Sequence, residues 1–187
     1  MGMPLPQTDW TVEMLNALPD DGNRYEVIDG ELFVTPAPSI VHQRAVVELL
    51  GLLLPYVKKL RLDLLTAPSA VTFSPRTEVQ PDVLVRPPMH GGRPAVRFSD
   101  VGVLLLAVEV LSPHTKRTDK KDKRALYRDE GVRDYWIVDT DARTIERWTP
   151  TSLYGDVFAD EIQWQPLDSH EPFVLDVAAY FRAVVWE

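Results

Sequence analysis

The pattern of apolar and polar positions divides this chain into strands and helices of mixed type. Asp9–Leu18 reads as a short helix stopped by Pro19 and the turn-forming Asp20-Asp21-Gly22-Asn23. Two extended runs then flank Asp29-Gly30 within RYEVIDGELFVTP, a strong hairpin signal. Ser39 can cap a long helix from about Ile40 to Leu60. Its Val46, Leu49, Leu50, Leu53 and Val57 recur at helical spacing, with a bend expected at Pro55.

Strand-like runs follow at LDLLTA, AVTFS and PDVLVRP, and then a loop over 87–96. VGVLLLAVEVL, residues 101–111, is the most apolar strand pattern of the chain. Asp119 opens a helix that Gly131 ends, and DYWIVDT is the next buried strand. IERWTP reads as an edge-like strand, and FVLDVAAYF as a short amphipathic helix. The strand–helix–strand unit over 103–139 implies a right-handed parallel crossover. The expected class is α/β or α+β, a mixed sheet with the long helix on one face.

Glu109 interrupts this pattern. Val103, Leu105, Ala107 and Leu111 share its face, and Leu104, Leu106, Val108 and Val110 occupy the other. Both faces are apolar, as on a central strand covered on both sides. An ionised carboxylate buried there must be paired, protonated or bound to a cation. Alternatively, Glu109 lies at the strand end and reaches water, since Ser112-Pro113 follows closely.

Asp82 opens the run PDVLVRP. Taken singly, a Pro-Asp is an ordinary turn or cap. Two acids at the ends of neighbouring buried strands, however, form an oxygen-ligand site suited to Mg²⁺. On a helix from Asp119, Lys123 shares a face with Leu126 and Tyr127, so this lysine is expected to point over the sheet toward Glu109. The alternative is a stem laid along the core with its ammonium in water.

Composition narrows the class. With 187 residues, 45% of them hydrophobic and 26% charged, the chain suits one domain with a sizeable core. The absence of cysteine excludes disulfides, thiol catalysis and thiolate metal sites. No continuous apolar run is long enough to span a bilayer, and no secretory leader pattern opens the chain. A cytoplasmic location without membrane association is therefore expected.

The net charge of −8 argues against general nucleic-acid affinity. Yet residues 114–128 hold seven basic side chains against two acids. That local patch can focus an anionic substrate, or it can be a solvated helix face.

The segments QPDVLV, AVEVLSP, DKRALY and GVRDYWIVD, in this order, resemble a large bacterial family of restriction-endonuclease-like proteins. That family belongs to the PD-(D/E)xK nuclease superfamily. The RYEVIDGELFVTP hairpin and the His-bearing helix after it are similar to its N-terminal half. The match covers about 24–182 of a single domain spanning 1–187, with an N-terminal helical extension over 1–20.

The resemblance implies a mixed central sheet flanked by helices and a Mg²⁺-dependent endodeoxyribonuclease site, with Mn²⁺ as an alternative. Asp82 matches the acid of the Pro-Asp motif and Glu109 the acid of the (D/E)xK motif, with Val110 offering a carbonyl to the metal. The motif lysine falls at position 111, where this chain has Leu111. Its role moves to Lys123 on the following helix, with Lys120 and Lys121 close by. Glu26 and His42 match polar positions of the N-terminal half as possible accessory residues. Lys116, Arg117, Lys121 and Arg124 are expected at the DNA backbone. A homodimer is expected, since such folds often pair to reach both strands. The rival reading is a catalytically inert nuclease-like fold serving as a binding or assembly module.

Overall fold

The structure, a computed structural model, describes residues 9–88, 104–112, 115–168 and 170–186. Residues 1–8 of the N-terminal extension, most of the expected 87–96 loop and Val103 lie outside them.

Helix α1 (Val12–Asn16) is capped by the Thr11 hydroxyl. Strands β1 (Arg24–Ile28) and β2 (Glu31–Thr35) form the expected hairpin. Asp29 and Gly30 both adopt positive φ, 51° and 82°, the conformation that a two-residue turn of this hand requires. Helix α2 (Ile40–Lys59) begins where Ser39 accepts the His42 N–H at 3.2 Å, and it continues through Pro55.

Next come β3 (Asp63–Thr66), β4 (Val71–Ser74), β5 (Thr77–Val79), β6 (Val83–Arg86) and β7 (Leu106–Val110). The expected 119–130 helix is built in three parts: α3 (Lys116–Thr118), a π-helical turn (Asp119–Lys123) and α4 (Arg124–Asp129). Strands β8 (Tyr135–Asp139), β9 (Thr144–Trp148), β10 (Asp156–Phe158), β11 (Glu161–Trp164) and β12 (Phe173–Asp176) lead to helix α5 (Val177–Val185).

The class is mixed α+β. A central six-stranded sheet runs β10-β9-β8-β7-β6-β3, with β7 and β8 parallel and the other neighbours antiparallel. A separate antiparallel sheet runs β2-β1-β5-β4, and β11 pairs with β12.

One face of the central sheet packs against α2 and α5, through Leu49, Leu53 and Val57 of α2 and Tyr180 and Phe181 of α5. By length and composition α2 could cross a membrane. Here its apolar stripe lies in the protein core instead. The other face holds Leu84, Ala107, Ile137 and Leu111, covered by Leu126 and Tyr127 of α4 and by Val71 and Val79 of the smaller sheet.

Three expectations change. Leu105 packs on the α2 side together with Leu106, so strand alternation starts only at Leu106, where β7 begins and pairs with Val85 of β6. Strand β9 is not an edge, because β10 pairs along its outer side. Phe173–Asp176 is a strand and not the start of a helix. Asp176 caps α5 by accepting the Ala179 N–H at 2.7 Å, so the helix can begin only after it. Removing that acceptor by Asp176→Ala is expected to cost about 1 kcal/mol. The check is thermal unfolding, where the expected fall in Tm is about 2–4 °C.

Candidate active site

The antiparallel register that pairs Val83 with Val108 brings Asp82 to the level of Glu109 on the neighbouring strand. The Val110 N–H donates to Asp82 Oδ2 at 2.8 Å. Arg24 Nη1 from β1 donates to Oδ1 at 2.7 Å, and His42 Nε2 from the first turn of α2 lies 3.1 Å from Oδ2. Burial disfavours the Asp82 carboxylate, but His42, Arg24 and the Val110 N–H outweigh it and bring its pKa down to about 2.

Glu109 is 1% exposed, so it does not reach water at the strand end. Its Oε1 accepts from Lys123 Nζ at 2.9 Å and from the Tyr127 hydroxyl at 3.1 Å. Lys123, also 1% exposed, makes a second 2.9 Å ion pair with Glu26 Oε1. Glu26 Oε1 is further fixed by the Gln80 N–H at 2.6 Å. One buried ammonium thus ties the smaller sheet, through β1, to the central sheet, through β7. Lys123 points inward as its spacing to Leu126 and Tyr127 predicts, and not out to solvent.

Asp119 lies one π turn before Lys123, with Oδ1 3.9 Å from Nζ. Its carboxylate is buried, and neither oxygen has a hydrogen-bond partner.

The charges do not balance. Glu26, Asp82, Glu109 and Asp119 are four buried carboxylates, against the fixed cations Arg24 and Lys123, His42 aside. Burial therefore pushes the Glu109 carboxyl well above the usual range. Lys123 offsets part of this, while Asp82, Asp119 and Glu26 add to it. Burial raises Asp119 to about 6, partly countered by Lys123 and by the nearby Thr115 hydroxyl, which stands outside hydrogen-bond geometry. Burial also disfavours the Lys123 ammonium, yet Glu109, Glu26 and Asp119 hold its pKa above the ordinary lysine range. Lys123 keeps its proton.

A cleft of about 1370 Å³ opens beside this cluster, with Asp82, Arg24, His42, Ser112 and Lys116 in its wall. Glu109, Glu26 and Lys123 do not line it and stand behind Asp82. Lys116 is exposed at the cleft and 3.9 Å from Asp139. Arg117 and Lys121 are exposed but not in the cleft wall. Arg124 is half-buried, its guanidinium 4.4 Å from the centre of the Trp148 ring. The four basic residues expected at one DNA backbone are therefore spread around the helix.

Three participants are not legible in the sequence. Arg24 begins a hairpin strand 58 residues from Asp82, and nothing local marks their contact. Asp119 is masked by its basic neighbours, although an acid four residues before an inward lysine falls on the same helix face. Tyr127 reads as a packing residue, yet its hydroxyl donates to Glu109.

A family model described as "Putative restriction endonuclease", named Uma2, matches residues 12–178. No curated protein matches the chain. Among solved structures, the crystal structure of a putative nuclease belonging to DUF820 from Anabaena variabilis ATCC 29413 superposes with a TM-score of 0.78. Identity is 21%, over 94% of this chain and 99% of that one. At such identity the likeness establishes the fold. The family match spans nearly the whole chain and carries the assignment: this protein belongs to the Uma2 family of restriction-endonuclease-like proteins.

Proposed function

We propose that this protein is a Mg²⁺- or Mn²⁺-dependent endodeoxyribonuclease of the PD-(D/E)xK type, with its lysine displaced onto the helix after the motif strand. The observation that carries this reading is the 2.9 Å pair between Lys123 Nζ and Glu109 Oε1, beside an Asp82 oriented from the same strand by the Val110 N–H.

Among the described residues no three carboxylate or imidazole groups form a ready metal cage. Mg²⁺ requires less, namely one or two carboxylates completed by water and substrate phosphate. The donors here are hard oxygens, and carboxylates outnumber the fixed cations, so the residues fit a divalent cation. Asp82, Glu109 and the Val110 carbonyl would hold it. Bound there, it would supply Lewis-acid polarisation of the phosphate and a water of lowered pKa.

The chain's own groups do the rest. Arg24 and His42 orient Asp82. Tyr127 and Lys123 orient Glu109. Lys123, as an ammonium, orients the attacking water and offsets charge developing on the phosphate. Lys116, exposed at the cleft, contacts the DNA backbone without reading sequence, and the exposed Arg117 beside it extends that contact. A homodimer presents one site to each strand.

Supercoiled plasmid and branched DNA incubated with Mg²⁺ or Mn²⁺ test this directly. Cleavage that stops on chelation is expected. No cleavage of either DNA at millimolar metal would overturn the reading. Replacing Lys116 and Arg117 by Ala is expected to flatten the dependence of log affinity on log salt, by about 0.9 for each phosphate no longer neutralised. The check is duplex binding measured across a salt series.

The burial of Glu109 and Lys123 behind Asp82 favours a second reading, an inert nuclease-like module. Calorimetry separates the two, since the inert module takes up neither Mg²⁺ nor Mn²⁺.

A further inference from the structure

Lys123 Nζ donates to Glu109 Oε1 and forms an ion pair with Glu26 Oε1, both at 2.9 Å. Asp119 stands 3.9 Å away, beyond hydrogen-bonding reach, with both carboxylate oxygens buried and without a hydrogen-bond partner. Leaving a buried acceptor unpaired is costly, and a buried charge is more costly still. An arrangement that tolerates this calls for an explanation.

The backbone around Asp119 is firmly held. Its N–H donates to the Thr115 carbonyl at 2.9 Å, and its own carbonyl accepts the Tyr135 hydroxyl at 3.0 Å. The carboxylate is thus carried on a fixed segment. That segment is the π turn Asp119–Lys123, an interruption of a helix of the kind often found at functional sites. It places Asp119 and Lys123 on one face, four residues apart.

Resting on the metal-site reading above, we infer that Asp119 is a positioning residue, the alternative counter-ion that receives the Lys123 ammonium when a divalent cation takes Glu109. A divalent cation on Glu109 would repel the ammonium beside it, so Lys123 withdraws when the metal binds. A shift of about 1 Å turns its 3.9 Å approach to Asp119 into a 2.9 Å ion pair like the two it already makes. The lysine side chain, a flexible four-carbon stem, permits that movement without any change of backbone. The empty acceptor on Asp119 keeps Lys123 charged and inside the site in both states, while Glu26 holds it from the other side. Asp119 acts on the metal only through Lys123.

Asp119→Asn tests this, since it keeps the shape and removes the charge. Mn²⁺ affinity is read by calorimetry on the whole protein, with thermal unfolding alongside. The expected result is Mn²⁺ binding weakened about tenfold or more, in line with other supporting partners of metal ligands, in a protein whose Tm is not lowered. Unchanged Mn²⁺ affinity in the folded variant would overturn the inference and leave the metal site standing. Wild-type protein that takes up no Mn²⁺ at millimolar concentration would overturn both. If the variant does not fold, the wild-type crystal structure with Mn²⁺ decides. Lys123 moved from Glu109 to within about 3.2 Å of Asp119 supports the inference, and Lys123 still paired to Glu109 sinks it.

Discussion

Lys123→Met is expected to destabilise the protein by about 3–5 kcal/mol, the usual cost of removing one member of a buried ionic group. Methionine reproduces most of the stem, so little of the loss comes from a cavity. The loss is electrostatic. Glu109, Glu26 and Asp119 all face the ammonium, and all three are buried carboxylates. Without it, Arg24 is the remaining fixed cation for four acids. Because Lys123 also joins β1 to β7, the smaller sheet loses one of its ties to the central one, with the Arg24–Asp82 pair remaining. Urea denaturation measures the effect. A loss under about 1 kcal/mol, the level of an exposed pair, would show that the ammonium is not the counter-ion of this cluster. The double variant Lys123→Met/Glu109→Gln is expected to lose less than the sum of its single changes, since the two groups share one interaction.

Glu109→Ala is expected to lower DNA cleavage by roughly 10²–10³-fold or more, the usual cost of removing one preorganised electrostatic group from a reacting centre. The change removes a proposed metal oxygen donor while leaving Lys123 paired with Glu26 at 2.9 Å. It also relieves a site where carboxylates outnumber cations. The fold should therefore survive it better than Lys123→Met, and circular dichroism checks that. The loss should fall on kcat and on metal affinity, with duplex binding at fixed salt nearly unchanged, because Glu109 does not line the cleft. Cleavage equal to wild type would remove Glu109 from catalysis.

Much of the scaffold is legible where the signal is local. Asp29-Gly30 can take two successive positive φ values, so the hairpin follows from the dipeptide itself. Ser39 supplies its cap and Val46, Leu49, Leu53 and Val57 supply a stripe, so α2 is found to within a residue. The double-sided apolarity of 104–111 marks a central strand because only full coverage permits it.

Where pattern misleads, the reason is context. Phe173–Asp176 is amphipathic by either period, and pairing with β11 makes it a strand. Thr144–Trp148 looks half-exposed, yet β10 adds a further strand beside it. The division into two sheets could not be read from strand patterns, since partner choice is a long-range matter. The π turn was likewise invisible, because helical periodicity over a dozen residues does not resolve one widened turn.

The candidate site divides along the same line. By itself the chain determined that a carboxylate sits in a doubly apolar strand, that a second acid opens a neighbouring one, and that one lysine of a basic run faces inward. These follow from side-chain period and the cost of burying charge. Only the tertiary structure decided which groups balance those charges: Arg24 and His42 on Asp82, and Glu26, Glu109 and Asp119 around Lys123. The physical reason is that an ion pair depends on distance in space. Arg24 and Asp82 stand 58 residues apart in the chain, and no period along a strand or helix records that they meet.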